Sequence, residues 1–460
     1  MQIPIDKSKY EYLLSKALNT GADFAELFFE DRMDNVCKLI NGGLNGATSL
    51  HIHGVGLHLL KGGNSYYVYS SNTSNDALNE LVKMGSLLVE GESKNINIDL
   101  KYYNSTPLHG IRINPMDVDI KEKEKVLRKM LEATSTSKYQ NHLNFEFYDN
   151  VQDVAIINSE GLYATDRRCF SRVRMGGVVS DGNKSSYSFT DFIKPCGFEA
   201  FSDYDPYSFA RNTVEKRGLE LNTETIKGGV MPVVFAAGSS GTFWHEACGH
   251  NLESASAFNG PFAGLLNKKM ASDKVTLIDD GTIKGLCGSE AIDDEGHPTQ
   301  KNVLIKNGVM VSHLVDKQGS ILLNCECNGS GRRQSYTFAP TSRMHNTYLE
   351  VGQDDEEKMI KDVDYGLYVT ELGGGSSGNN FSVAVNYGYL IEKGKLTKPV
   401  SGLNLSGTST EIIKRIDAVG KKQVYEEYGS FCGANSGLVQ VTAFCPQFRV
   451  SSMNVGGKDE

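Results

Sequence analysis

Met231-Pro-Val-Val-Phe-Ala-Ala237 runs into Gly238-Ser-Ser-Gly241, and then into Thr242-Phe-Trp-His-Glu-Ala-Cys-Gly-His-Asn-Leu-Glu253. The apolar run reads as a buried strand and the Gly/Ser stretch as a tight turn. The segment after the turn reads as a helix carrying His245, Glu246 and His250. Histidines four apart on a helix lie one above the other, so both can reach one zinc while an adjacent glutamate activates water. Here the spacing is five, His245-Glu246-x-x-x-His250. On a regular α-helix five residues turn the second side chain by about 140° from the first. One shared metal therefore requires that the helix be distorted or end over Ala247–His250. A π-type turn achieves this, and Gly249 allows an unusual backbone. Cys248, in the same stretch, is either a thiol nucleophile or a buried helix residue.

Upstream of this segment the pattern is mixed. Asp6 can cap a helix over 6–20, with Tyr10, Leu13, Leu14 and Ala17 at helical spacing before Gly21. Residues 22–30 and 36–40 read as strands, followed by a Gly-rich turn at 42–46. Residues 51–60 and 66–70 read as a hairpin about Lys61-Gly-Gly-Asn-Ser65. Helices fit 75–89, 117–133 and 206–222, and strands fit 143–148, 153–158 and 172–179. Downstream the chain is mostly β, with Gly-rich connections at 329–331 and 372–378. The expected fold is α+β: an N-terminal mixed α/β domain (1–224), then a largely β C-terminal domain (225–460) that carries the metal-binding helix.

The bulk numbers narrow the function. The chain has 460 residues, 39% hydrophobic and 22% charged, which is a globular composition. Its net charge of −9 gives no basic footprint for nucleic acid. No apolar run reaches the roughly 20 residues that span a bilayer, so no membrane partner is expected. The first residues lack the apolar core of a signal peptide, and the nine scattered cysteines do not resemble a disulfide framework. A cytoplasmic location with reduced thiols is the expectation. Cys325 and Cys327 form a Cys-x-Cys pair, but no nearby pair in the sequence completes four ligands.

The segment Gly238–Glu253 strongly resembles the signature of the TldD/PmbA family, whose TldD-type members carry His-Glu-x-x-x-His. Asp293-Asp-Glu-Gly-His-Pro298, Arg343-Met-His-Asn-Thr-Tyr348, Leu372-Gly-Gly-Gly375, Gly388-Tyr-Leu-Ile-Glu-Lys-Gly394 and Val455-Gly-Gly457 fit it too. So do Ala25-Glu-Leu-Phe-Phe-Glu30 and Asn158-Ser-Glu-Gly161 in the first half. The resemblance implies a zinc peptidase in which Phe431-Cys432-Gly433 supplies the third ligand beside His245 and His250, with Glu246 as catalytic acid/base. Two imidazoles and a thiolate suit zinc and leave a position for water. Cys445, the competitor, precedes Pro446. The family commonly has glycine after the second histidine, where this chain has Asn251. Glu253 is a candidate partner for a ligand, or is solvated.

The resemblance further implies that short or unfolded peptides bind in extended form as an added strand. Gly373, Gly374 and Gly375 could then line the cleft, because glycine lets another backbone approach closely. A flexible loop is the other reading. A metal-free PmbA/TldE-like subunit, or a second copy in a homodimer, is the implied protein partner. The alternatives are a non-catalytic peptide-binding or scaffold subunit of such a complex, and a thiol hydrolase using Cys248 or Cys432.

Overall fold

A computed structural model describes residues 6–93, 96–425 and 428–457. Helix α1 (Lys7–Leu18) is capped by the Asp6 side chain on Lys9 N, and it buries Tyr10, Leu13, Leu14 and Ala17. Strands β1 (Phe24–Ile40), β2 (Gly43–Lys61) and β3 (Asn64–Ser70) come next, then α2 (Asn75–Ser86), β4 (Lys101–Asn104) and α3 (Ile120–Ser135). Strands β5 (Gln140–Asn158), β6 (Leu162–Ser180) and β7 (Ser185–Lys194) complete a sheet of order β3-β2-β1-β5-β6-β4, with β7 also on β6.

The strands are longer than local hydrophobicity suggests. The two segments expected at 22–30 and 36–40 are one strand, and so are 143–148 and 153–158. The charged residues between the first pair are accommodated within the ladder. Arg32 reaches Glu30 and Asp34 at 3.0 Å each, and pairing to both β2 and β5 continues through Asp31–Asn35.

Side chains alternate between the two faces of this sheet. On one face Leu27 and Phe29 pack with α1 and α2. Farther along the same face Cys37 and Leu39 pack with α3 and with α5 (Pro206–Glu220), which comes after the short α4 (Ala200–Asp203). The other face turns Phe28, Val154, Ile156 and Ala164 toward Ile292 and Tyr336 of the second half. There Arg333 and Glu26, both fully buried, pair at 2.5 Å. Removing either partner would strand a buried charge, at about 3–5 kcal/mol.

The second half builds a twelve-stranded sheet. It comprises β8 (Gly229–Phe235), β9 (Leu277–Asp280), β10 (Lys301–Lys306) and β11 (Val309–Met310), with a small separate pair β12 (Gly331–Arg332) and β13 (Thr341–Ser342). It continues with β14 (Asn346–Leu349), β15 (Tyr365–Ser376), β16 (Asn380–Glu392), β17 (Lys395–Val400) and β18 (Leu403–Thr408). Strands β19 (Ile416–Val424), β20 (Ser430–Ala434) and β21 (Gly437–Gly456) end it. The order is β11-β10-β9-β14-β21-β18-β16-β15-β8. Strand β21 also holds β19, β20 and β8, so one strand gathers elements distant in sequence. Its inner side chains and those of β8 meet Phe243 and Trp244 in the largest core, where the Phe235 and Phe448 rings stack at 4.5 Å.

Candidate metal centre

Three residues past the end of β8, Gly238, at φ 94°, donates its N–H to Cys445 O (2.9 Å). A side chain at Gly241 would meet Phe444 N at 2.1 Å, so only glycine brings the next helix this close to β21. That helix, α6 (Thr242–Ala247), has six residues. Phe243, Trp244, Ala247 and Cys248 are fully buried in the core. His245 and Glu246 line a cleft of about 980 Å³.

The five-residue spacing is resolved by ending the helix, not by a π-type turn. Cys248 leaves helical geometry at φ −125°, ψ −50°, and a 3-10 turn over Gly249–Leu252 succeeds it. This brings the ring of His250 to 4.8 Å from that of His245. The reason for Gly249 differs from the expectation. The unusual backbone belongs to Cys248, whereas a Cβ at Gly249 would lie 1.9 Å from Met344 Sδ. Asn251, standing where the resemblance implies a glycine, is buried. Its amide donates to Ala247 O, Gly378 O and Ser409 Oγ, tying the helix end to the turn after β15.

Cys432 arrives from β20, paired with Val439 of β21. Its Sγ lies 3.2 Å from His245 Nε2 and 3.3 Å from His250 Nε2. Sulfur and nitrogen ligands on a tetrahedral zinc stand about 3.5 Å apart, given bonds near 2.3 and 2.0 Å. The donor set and its spacing therefore fit zinc. Burial raises the Cys432 thiol, but the hydrogen bonds from His245 and His250 outweigh it and pull its pKa to about 4. Burial lowers His250, yet Cys432 and Glu253 carry it to about 10. Cys432 thus sits as a thiolate within hydrogen-bond reach of both imidazoles, a donor set that a cation fits.

The surroundings are unequal for the two histidines. His250 Nδ1 meets Glu253 Oε1 at 3.2 Å, and Glu253 is buried rather than solvated. Arg343 lies 3.9 Å from that carboxylate and donates to Cys432 O at 2.6 Å, so one guanidinium holds the backbone of Cys432 and faces the partner of His250. His245 Nδ1 is buried without a hydrogen-bond partner. Local sequence pattern does not reveal Arg343 in this role; only its place in the Arg-Met-His stretch could have flagged it.

Gly373, Gly374 and Gly375 line the same cleft as the His/Cys cluster and belong to β15, not to a loop. A Cβ at Gly375 would lie 2.9 Å from Glu246 Cγ, so glycine there makes room for the carboxylate. Cys248 is fully buried, and burial pushes its thiol pKa up, which makes it a poor nucleophile. Cys445 is likewise buried, within reach of Ala236 O and Gly238 O.

Three family models match the chain. They are described as the PmbA/TldA metallopeptidase domain 1 (residues 25–87), central domain (113–219) and C-terminal domain (228–457). A metalloprotease TldD homolog of Haemophilus influenzae is 30% identical over 459 residues, covering 95% of this chain and 93% of that one. A zinc metalloprotease TldD homolog of Saccharolobus solfataricus is 26% identical over 359 residues, covering 74% and 78%. Among solved structures, TldE of Thermococcus kodakarensis matches with TM-score 0.71 at 18% identity, covering 98% of this chain and all of that one. A candidate modulator of DNA gyrase from Bacteroides thetaiotaomicron matches with TM-score 0.74 at 17% identity over the whole of both chains. These two structures share the fold.

Proposed function

The chain belongs to the PmbA/TldD metallopeptidase family, and from that premise we propose that it is a zinc-dependent peptidase acting on short or unfolded peptides held in extended form. The observation that carries the reading is the convergence of His245, His250 and Cys432 on one point beside Glu246, at the wall of a cleft large enough for a peptide segment. A bound zinc supplies a Lewis acid for the scissile carbonyl and makes a water acidic enough to deprotonate near neutral pH.

The protein's own part is orientation and proton transfer. Glu246, one residue after His245 on α6, takes the proton of the attacking water and returns it to the leaving amine. Glu253 fixes the ring of His250, and Arg343 fixes the strand that carries Cys432. The glycines of β15 leave the cleft wall low, so that a substrate backbone can lie against it. Substrate recognition would thus rest mainly on backbone contacts, with little side-chain selectivity.

The division at residue 225 belongs to the same proposal, with 1–224 walling the cleft whose metal ligands come from 225–460. So does the partner, a metal-free PmbA/TldE-like subunit or a second copy of this chain. The acidic net charge favours peptide over nucleic acid as ligand. Among the described residues no helix is long and apolar enough to cross a membrane.

Glu246→Gln tests the reading. Hydrolysis of an unstructured peptide, with the candidate partner present, should fall by roughly 100- to 10,000-fold, with zinc content unchanged. Zinc loss in that variant would make Glu246 a ligand. Activity that resists chelators but not thiol alkylation would replace the proposal with thiol hydrolysis at Cys432. Wild-type protein that takes up no zinc would favour a non-catalytic binding subunit.

A further inference from the structure

A second histidine cluster lies on the first sheet, and we infer that Asp31, His51 and His53 form a binding site for a divalent transition-metal ion such as zinc. None of the three lines the catalytic cleft, so the inference stands independently of the proposed function.

The register of the first hairpin creates the cluster. Asp31 of β1 stands directly opposite His53 of β2, and His51, two residues away, shares its face. Asp31 Oδ1 is 2.8 Å from His51 Nε2, and Asp31 Oδ2 is 3.5 Å from His53 Nδ1. One donor atom from each of the three residues lies within 4.8 Å of the other two.

Two further observations point to a ligand. Asp31 is 8% exposed, yet its Oδ2 has no hydrogen-bond partner, and neither does His53 Nδ1 beside it. An unpaired buried carboxylate oxygen is costly, and a cation between these atoms offsets that cost. His53 Nε2 is 2.9 Å from Thr73 Oγ1, the residue just before the cap of α2. If Nε2 carries the proton and donates to that hydroxyl, the lone pair sits on Nδ1, on the Asp31 side. An outer partner commonly fixes a ligating histidine in this way.

The setting suits capture from solution. Leu27 and Phe29 lie under α1 and α2, and Cys37 and Leu39 lie under α3 and α5. Asp31 and Met33 occupy the stretch of the same face between them. The rim is open, the His51 side chain being 49% exposed. Two imidazoles and one carboxylate suit zinc, copper(II) or nickel(II) better than calcium or magnesium. A third cluster, Asp293, Glu295 and His297, is a weaker candidate. Both oxygens of Asp293 already accept backbone N–H groups, from Glu295, His297 and Gly331.

The test is a zinc titration against a competing chelator, on a chain lacking the first centre (His245→Ala, His250→Ala and Cys432→Ser). One zinc per chain is expected, with its affinity reduced at least tenfold on adding His51→Asn and His53→Asn. No zinc, or a smaller change, overturns the inference. Should that chain fail to fold, the wild-type background answers the question. There His51→Asn/His53→Asn should lower bound zinc by one per chain, while the thiolate charge-transfer band of a cobalt-substituted first centre stays unchanged. Undiminished zinc would sink the second site without touching the first.

Discussion

The two histidine clusters are built by opposite means. In the first sheet, strand register alone sets Asp31 opposite His53, and nothing beyond β1 and β2 is needed to bring the three groups together. In the second half His245 and Cys432, the proposed ligands, are 187 residues apart, and they meet because a helix ends early and β20, paired to β21, brings Cys432 to it. The local cluster is half-open. In the assembled one His245 and Cys432 are buried and His250 is partly buried, beside a carboxylate in a large cleft. On the proposed reading, a ladder suffices to gather ligands for an ion, whereas the first centre, drawn from separate elements, also lines a cleft in front of its ligands.

Strand β2 makes a related point within itself. His51 and His53 lie on one face and His58 on the other, facing Glu26 across the ladder near Arg333. Parity alone separates candidate ligands from a core histidine.

The comparison can be broken most sharply at Gly249. Gly249→Ala would drive a methyl into Met344, at a cost of about 1–3 kcal/mol, and displace His250. The expected outcome is a lower melting temperature and zinc lost from the first centre, with zinc at the Asp31 cluster unaffected. Adding Met344→Ala should return part of the loss. If zinc at the first centre survives Gly249→Ala unchanged, the turn does not set the ligand geometry.

A somewhat smaller effect is expected from acid. Burial, helped by Arg333, lowers His58 to about 3, so it is neutral in the fold. The unfolded chain binds this proton near pH 6.5. The stability that His58 contributes is therefore complete above that pH and declines as pH falls toward 3. By pH 5 the loss is about 2 kcal/mol. Denaturant unfolding at pH 7 and pH 5 should show this loss in the wild type and less of it in His58→Gln. Equal losses in both would put the acid sensitivity elsewhere.

The smallest effect concerns the carboxylate on His250. Glu253→Gln keeps the shape but weakens the acceptor, and zinc affinity at the first centre should fall about tenfold. Competition with a chelator measures it. An unchanged affinity would mean that the assembled centre owes its strength to its three ligands alone, like the one on the ladder.

Much of this was legible in the sequence. The apolar run before Gly238, the cap at Asp6, the helix of 206–220 and the hairpin at Gly62-Gly63 arise from local pattern, because caps, turns and side-chain periodicity act over a few residues. Local pattern misjudged β1 and β5, whose polar middles looked like breaks. Arg32 pairs with Glu30 along β1 itself, and across the ladder Gln152 donates to Glu30 and Asn35 to Asp149, partners that a single segment does not reveal. The cluster at His51 and His53 is hidden for the same reason, since its third member is supplied by register.

The sequence by itself determined the α+β class, the His-Glu-x-x-x-His segment and the need for its helix to deform. Both the residue types and their spacing are written in one short stretch. Only the tertiary structure decided how that deformation occurs, that Gly249 is there for Met344, and that Glu253 meets His250 while Arg343 holds the backbone of Cys432. Close packing between distant segments depends on where β21 carries them, and no local preference of the chain encodes that distance.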